Sequence, residues 1–186
     1  ILYMSHQTGG MNLMPINTLA DASQLIHGLR LLKSPSVGPL SERLLQSVVR
    51  RRLRRAATPP EVAEYLNGSM RGDFANESSD ISSTWTRLRA ATTRLKTTTN
   101  VAWATDDNGV LQLTLNDSPL KARDTEKALR CAIRDYYKRR LLAKPDQGKV
   151  FHVTSVAMAP NHFMRPGDFT RFADWRFVHR ARLDCV

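Results

Sequence analysis

Basic side chains recur at helical spacing in one part of this sequence. Five of them lie three or four positions apart and form what we call the basic stripe: Arg123, Lys127, Arg130, Arg134 and Lys138. On the helix predicted over 122–143 they share one face along roughly 22 Å, at about 1.5 Å of rise per residue. Like charges four residues apart on a helix repel each other. The stripe therefore favours a polyanion opposite it over a merely solvated face, and either RNA or DNA could lie there.

A second basic group is an arginine run at the end of a predicted helix: Arg50, Arg51, Arg52, Arg54 and Arg55. Arg50 and Arg54 lie opposite the apolar arc of this helix, and Arg51 lies at its boundary. We predict phosphate contacts for these three residues, with a solvated face or a localisation signal as the alternative. Arg52 and Arg55 fall inside the apolar arc. Either the helix frays near Arg51, or both side chains reach around to solvent.

A third group alternates aromatic and basic residues near the end of the chain. Pro166–Asp168 reads as a turn ending in an N-cap, which predicts a helix from about Phe169. This helix is apolar on most sides, so it must be covered on most sides. It is either a core helix whose arginines extend to solvent or pair with acids, or a helix that packs between domains. For the second case, the packing residues are Phe169, Phe172, Trp175, Arg176, Phe177 and Arg180, and we expect exposed aromatic side chains.

Acidic residues and metal ligands give no catalytic pattern. Asp106–Asp107 resembles the paired acids of a polymerase, but the following Asn108–Gly109 makes a turn the better explanation. The histidines and aspartates near the end match no known metal site or triad: His152, His162, His179, Asp174 and Asp184. Two cysteines, Cys131 and Cys185, are too few for a disulfide framework or a Cys-rich zinc site. We predict no catalytic residue, metal or cofactor for this chain.

The overall charge agrees with the basic groups. The 186 residues carry a formal charge of +11, with a pI near 10.4. Such an excess does not stabilise a fold, and it attracts polyanions, most often nucleic acid. Anionic membrane is the second candidate, but no run approaches the roughly 20 apolar residues of a membrane span. The first residues also lack the layout of a signal peptide. We therefore expect nucleic acid and no membrane partner.

Apolar periodicity predicts the elements that carry these residues. We expect a mainly α fold, a bundle of about six helices with one small β-hairpin. Helices are predicted over 17–32, from Leu40 into the arginine run, from Thr58 to Gly68, from Ile81 to Leu95, over 122–143 and from Phe169. A capping box of Thr58 and Glu61 opens the third. Leu40, Leu44 and Ile81 are expected to be buried.

Two further segments complete the predicted organisation. Val101–Thr105 and Val110–Leu115 flank Asn108–Gly109, a strong hairpin signal, with Trp103 facing inward. Lys149–Pro160 has the β-branched content of a strand, but its apolar residues are spaced as on a helix. The lack of a second strand partner favours a helix. The polar stretch Asn67–Ser83 is a candidate linker or exposed loop.

The C-terminal residues resemble a known family. Asn161–Gly167 and Asp174–Val186 resemble the Pol polyprotein of site-specific non-LTR (type-1) retrotransposons, in particular the group that inserts into ribosomal DNA. Gly9–Leu13 is similar to the turn that opens the thumb of these reverse transcriptases. The resemblance spans nearly the whole chain, is specific in the last 25 residues and is loose between Ser34 and Thr99.

The resemblance implies a thumb and linker segment. Residues 1–75 would form a thumb-like helical subdomain. Residues 76–186 would form a linker subdomain with the hairpin, the long basic helix and the aromatic–arginine helix. The polymerase palm and the zinc-finger and endonuclease domains would be neighbouring partners outside this chain. The parent protein would be an RNA-directed DNA polymerase with endonuclease activity that requires Mg²⁺, and we expect it in the nucleus.

Two functions compete at this point. The first is a non-catalytic segment that grips template–primer or target DNA by its phosphates while the parent copies RNA into DNA. The second is a free-standing basic helical domain for protein–protein interaction with acidic partners. The chain opens in mid-pattern at Ile1–Tyr3 without an initiator Met and stops at Leu183–Val186 without a C-cap, so we expect a fragment of a longer protein, although a processed chain would look the same.

Overall fold

The computed structural model describes residues 2–75, 81–157, 161 and 171–182. They form seven α-helices and one three-stranded antiparallel sheet, which confirms the predicted mainly α class with a small hairpin. The chain divides into a central unit, residues 17–132, and a terminal unit that combines 1–16 with 133–186. The predicted division after residue 75 falls inside the central unit.

The elements follow the predicted order. The helices are α1 (Ile16–Lys33), α2 (Gly38–Leu53), α3 (Pro59–Leu66), α4 (Thr84–Thr99), α5 (Thr125–Leu142), α6 (Pro145–Thr154) and α7 (Phe172–Arg182). The strands are β1 (Val101–Thr105), β2 (Leu111–Leu115) and β3 (Ser118–Pro119). Helix α6 confirms the helical interpretation of Lys149–Pro160 as far as Thr154. The predicted start of the last helix at Phe169 lies outside the described residues.

Helix α3 has the ends that the sequence predicts. The Glu61 carboxylate accepts hydrogen bonds from the Thr58 backbone N–H at 2.8 Å and from the Thr58 hydroxyl at 2.9 Å, which confirms the capping box. At the other end, Gly68 has a φ of 79°. A Cβ at Gly68 would lie 2.1 Å from the Thr93 hydroxyl. Glycine therefore both reverses the chain and lets α3 end against α4.

Helices α1 and α4 are joined by close packing and by an ion pair. A Cβ at Gly28 would lie 2.7 Å from a methyl group of Leu88, so the missing side chain lets the two helices approach each other. Arg94 donates to both carboxylate oxygens of Asp21, at 2.9 and 2.6 Å. Asp21 is nearly buried while Arg94 is exposed. This bidentate geometry fixes the rotation of α1 against α4.

Helix α2 is rotated from the predicted orientation. Its buried line runs through Ser41, Leu45, Val49 and Leu53. Leu40 and Leu44 are 59% and 53% exposed, so the prediction that they are buried is wrong. Residues four positions apart, beginning with Ser41, form the buried line, and Leu40 and Leu44 each lie one position before a member of it. The small side chain of Ser41 is therefore buried instead of the side chain of Leu40. Ile81 is 67% exposed and precedes α4, so its predicted burial is wrong too.

The predicted hairpin is confirmed, and a short third strand extends it. Trp103 of β1 lies opposite Leu113 of β2, and both side chains are buried. In the connecting loop, a carboxylate oxygen of Asp106 accepts from the backbone N–H groups of Asn108 and Val110, at 2.9 and 2.8 Å. Asp106 therefore shapes the turn. Strand β3, which the sequence did not predict, pairs with β2.

Trp103 connects the sheet to two helices. The side chain of Asn67, at the end of α3, accepts from the Trp103 backbone N–H at 2.7 Å and donates to its carbonyl at 2.8 Å. The amide thus takes the place of a strand residue at the edge of β1. The indole N–H of Trp103 donates to the buried Thr92 hydroxyl of α4 at 3.1 Å. One residue therefore fixes α3, α4 and β1.

The terminal unit has its own small core of Met4, Leu141 and Phe151, with Tyr3 and Tyr137 packed against it. The rings of Tyr3 and Tyr137 are 4.6 Å apart between centroids. The amide of the buried Asn161 donates to the carbonyl oxygens of Thr154 at 2.7 Å and Ala157 at 3.1 Å. These two hydrogen bonds hold the Asn161 side chain at the C-terminal end of α6.

The Asn67 contact gives a stability prediction. Replacing Asn67 with Ala removes two hydrogen bonds and leaves both backbone groups of Trp103 without that partner. We expect the free energy of unfolding in urea to fall by about 1–3 kcal/mol, with an unchanged m-value. Hydrogen exchange of the Trp103 amide should become faster. An unchanged midpoint together with an unchanged exchange rate would contradict this role for Asn67.

Candidate nucleic-acid interface

The exposed side of α2 carries the candidate interface. Arg43, Arg50, Arg51 and Arg54 are exposed and form what we call the α2 basic face. Arg43 and Arg50 lie seven positions apart, about two turns from each other on the side opposite the buried line, and Arg54 follows the helix as its C-cap with a φ of 58°. None of the four has an acidic partner among the residues that the structure describes. Their guanidinium groups are therefore available to an external anion.

A groove runs along this face. It has a volume of about 540 Å³ and is lined on the helix side by Pro39, Glu42, Arg43, Gln46, Ser47 and Arg50, so that one carboxylate lies beside the two guanidinium groups. Ala56 and Ala57 line it from the segment that follows α2. The guanidinium groups of Arg43 and Arg50 lie on either side of the Ser47 hydroxyl along the helix, and all three groups can donate hydrogen bonds. A phosphate can accept several such bonds, often two from one arginine.

The other two arginines of the run have structural roles. Arg52 is half-buried and donates to the Phe74 carbonyl at 2.7 Å. Arg55 makes a two-point contact with Glu61, in which one pair of atoms is 3.1 Å apart. Helix α2 continues to Leu53, so it does not fray near Arg51. Arg52 turns inward to a carbonyl group and not around to solvent.

The helix dipole accounts for only part of the α2 basic face. Cations in the last turn of a helix are stabilised by about 0.3–1 kcal/mol each, which applies to Arg50 and Arg51. Arg43 lies in the first half of α2, where the dipole does not favour a cation. Arg43 and Ser47 were absent from the predicted site. Arg43, Ser47 and Arg50 follow one another at spacings of four and three positions, and this is the signal that could have identified them.

The contact between Arg55 and Glu61 perturbs both groups. The hydrogen bond from Arg55, followed by the one from the Thr58 backbone, lowers the pKa of Glu61 to about 2. The same hydrogen bond raises the pKa of Arg55. Both groups are therefore charged at neutral pH. Their pairing holds the segment after α2 against the start of α3, and so supports the far wall of the groove.

The basic stripe on α5 is partly occupied by contacts within the chain. Arg123 precedes the helix and lies 3.4 Å from Asp124. Arg130 contacts Glu126 at 3.1 Å, and Arg134 donates to the Asn12 side chain at 2.7 Å. Lys127 and Lys138 are exposed. The stripe is therefore a weaker anion surface than the α2 basic face, because three of its five members already have an acceptor.

The aromatic–arginine helix is exposed where it is described. Phe172 and Phe177 are 71% and 61% exposed, which confirms the expectation for these two rings. Trp175 is half-buried, and its ring stacks on Phe172 with 5.8 Å between centroids. Arg176 and Arg180 are exposed. Phe169, the remaining predicted packing residue, lies outside the described residues.

In the described part of the chain, no three His, Cys, Asp or Glu side chains come close enough together to hold a metal ion. None of the described helices is long and apolar enough to cross a membrane.

No protein-family model, curated protein or solved structure matches this chain.

The lowered pKa of Glu61 gives a pH prediction. The carboxylate is more acidic in the folded chain than its ordinary pKa of 4.5, so its stabilising effect is complete above pH 4.5 and is lost as the pH falls towards 2. Glu61→Gln should therefore be less stable than the wild type at pH 7. The difference in the free energy of unfolding should shrink between pH 4.5 and pH 2, which urea titrations can measure.

The matched control is Glu64→Gln on the same helix. Glu64 accepts from the Ser69 hydroxyl and makes no ion pair in the described ranges. We expect it to destabilise the chain less than Glu61→Gln at pH 7. A difference between wild type and Glu61→Gln that stays constant from pH 7 to pH 2 would contradict the proposed role of Glu61.

Proposed function

We propose that this chain is a non-catalytic nucleic-acid-binding segment and that it grips the phosphate backbone with the α2 basic face. The observation that carries the proposal is the set of four exposed arginines without an acidic partner in the described chain. Arg43 and Arg50 also flank a groove of a size that can seat a phosphate group. The net charge of +11 adds a long-range attraction for polyanions.

The chemistry of the face favours phosphate over carboxylate partners. Arginine is the preferred residue for planar two-point recognition of an anion, and all four cations of this face are arginines. Backbone phosphates repeat at regular intervals along a nucleic acid, so they can meet a row of cations on one helix. Such contacts carry no base specificity, and we therefore propose binding that is insensitive to sequence.

The wider biological setting is also a proposal. The resemblance of the C-terminal residues supports a thumb and linker segment of a retrotransposon reverse transcriptase, whose Mg²⁺-dependent polymerase and endonuclease centres lie in neighbouring domains. In that setting the α2 basic face would hold template–primer or target duplex in the nucleus, and the exposed stripe residues Lys127 and Lys138 would add further phosphate contacts.

A triple variant tests the proposed interface. Arg43→Gln, Arg50→Gln and Arg51→Gln together remove three charges from exposed helical positions, and glutamine keeps a similar helix propensity. We expect the affinity for duplex DNA and for an RNA–DNA hybrid to fall roughly 10–100-fold at moderate salt, since each lost contact is worth a fraction of a kcal/mol to about 1 kcal/mol. Fluorescence anisotropy with labelled duplexes measures this loss.

The control variant removes the same charge elsewhere in the central unit. Arg71→Gln, Arg87→Gln and Lys96→Gln replace three exposed cations outside α2. If binding is local to α2, this control should keep most of the wild-type affinity. Equal losses in the two triple variants would show that only net charge matters, and they would contradict an interface on α2.

A further inference from the structure

Helix α7 presents aromatic rings and guanidinium groups on one face. At 100° per residue, Phe172, Trp175, Arg176 and Arg180 fall within one half of the helix, and Phe177 points to the other side. The Phe172 ring stacks nearly parallel on Trp175, at an angle of 13°. Phe172 is nevertheless 71% exposed. The stacked pair thus leaves much of an aromatic ring facing water.

The charge of α7 limits what can cover this ring. Arg171, Arg176 and Arg180 are exposed, and Asp174 is the single acidic residue between Arg171 and Arg180. A covering partner therefore gains most if it combines a flat apolar surface with negative charge. Nucleotides have both, because a base stacks on an aromatic ring while its phosphate meets an arginine.

Single strands fit this surface better than duplexes. In a duplex the bases already stack on each other, and side chains reach only their edges in the grooves. An unpaired base exposes its whole face and can stack on Phe, Tyr or Trp side chains. Arginines within one or two helical turns of such a ring can contact the adjoining phosphates.

We infer that α7 is a binding site for single-stranded nucleic acid. A base stacks on Phe172 and extends the Phe172–Trp175 stack, and the adjoining phosphates contact Arg176 and Arg180. This site belongs to the terminal unit, whereas the α2 basic face belongs to the central unit. The inference goes beyond the proposed function and does not rest on it.

The test compares two phenylalanines of the same helix. Phe172→Ala removes the stacking ring, and Phe177→Ala is the matched control because its ring is similarly exposed on the other side. With a labelled oligothymidylate of about 15 nucleotides, we expect the affinity to fall roughly 10-fold for Phe172→Ala and to change less than about 2-fold for Phe177→Ala. Alanine favours the helix, so both variants should keep the far-UV circular dichroism of the wild type.

Tryptophan fluorescence provides a second readout. Trp85 and Trp103 are buried, whereas Trp175 is half-buried and touches Phe172. Oligothymidylate should quench the emission of the wild type, and Trp175→Phe should keep binding but lose the quenching. Quenching that persists in Trp175→Phe would overturn the placement of the strand at this pair.

The outcomes separate this site from the one on α2. Phe172→Ala should bind duplex DNA like the wild type, whereas the triple arginine variant of α2 should keep the quenching of Trp175 by oligothymidylate. If both phenylalanine variants bind oligothymidylate like the wild type, the inference is wrong. Packing of α7 against a protein domain would then be the better account of its exposed rings.

Discussion

The central unit depends on the polar groups of Trp103. Its backbone pairs with the Asn67 side chain at the end of α3, and its indole N–H donates to Thr92 of α4. A buried indole that lost this acceptor would leave its N–H unsatisfied, which is costly in a core. The two helices and the hairpin are therefore held in one arrangement. Glu61, at the start of the same helix α3, also holds the exposed Arg55 in an ion pair.

This arrangement sorts the arginines into two groups. Arg52, Arg55, Arg89 and Arg94 are used within the chain, where they donate to carbonyl groups or carboxylates. Arg89 also lies over the ring of Tyr65, with 4.6 Å to the centroid. The α2 basic face has no such partners in the described chain. Apart from the helix dipole near Arg50 and Arg51, nothing in the described chain accounts for these further cations, and that excess is the physical basis for proposing an external polyanion.

The sequence predicted the fold better than the site. The capping box of α3, the hairpin and the long helices follow from local patterns, because caps and periodicity depend on neighbouring residues. The side chain of Asn67 pairs with a residue 36 positions away, and no local pattern signals such a contact. The same limit applies to α2. Periodicity allowed Leu40 and Leu44 a buried position, but the packing of the unit placed Ser41 and Leu45 there.

Only part of the candidate site could be predicted, because local patterns do not show contacts between distant residues. Arg50 and Arg54 stood opposite an apolar arc with Arg51 at its boundary, whereas the basic stripe on α5 looked stronger from its spacing alone. Glu126 lies four residues before Arg130, a spacing that favours an ion pair on a helix. No spacing reveals that Arg134 meets Asn12, since that contact joins residues 122 positions apart. The α2 basic face and the basic stripe differ less in how many basic side chains they carry than in how many of those side chains already have an acceptor within the described chain.

The most direct measurement is the salt dependence of duplex DNA binding by the wild type and by the variant with Arg43, Arg50 and Arg51 replaced by glutamine. Each phosphate contact contributes about −0.9 to the slope of log K against log salt concentration. If α2 grips the backbone, the slope of the variant should be shallower by about 2.7. Equal slopes for the two proteins would contradict the assignment of phosphate contacts to α2.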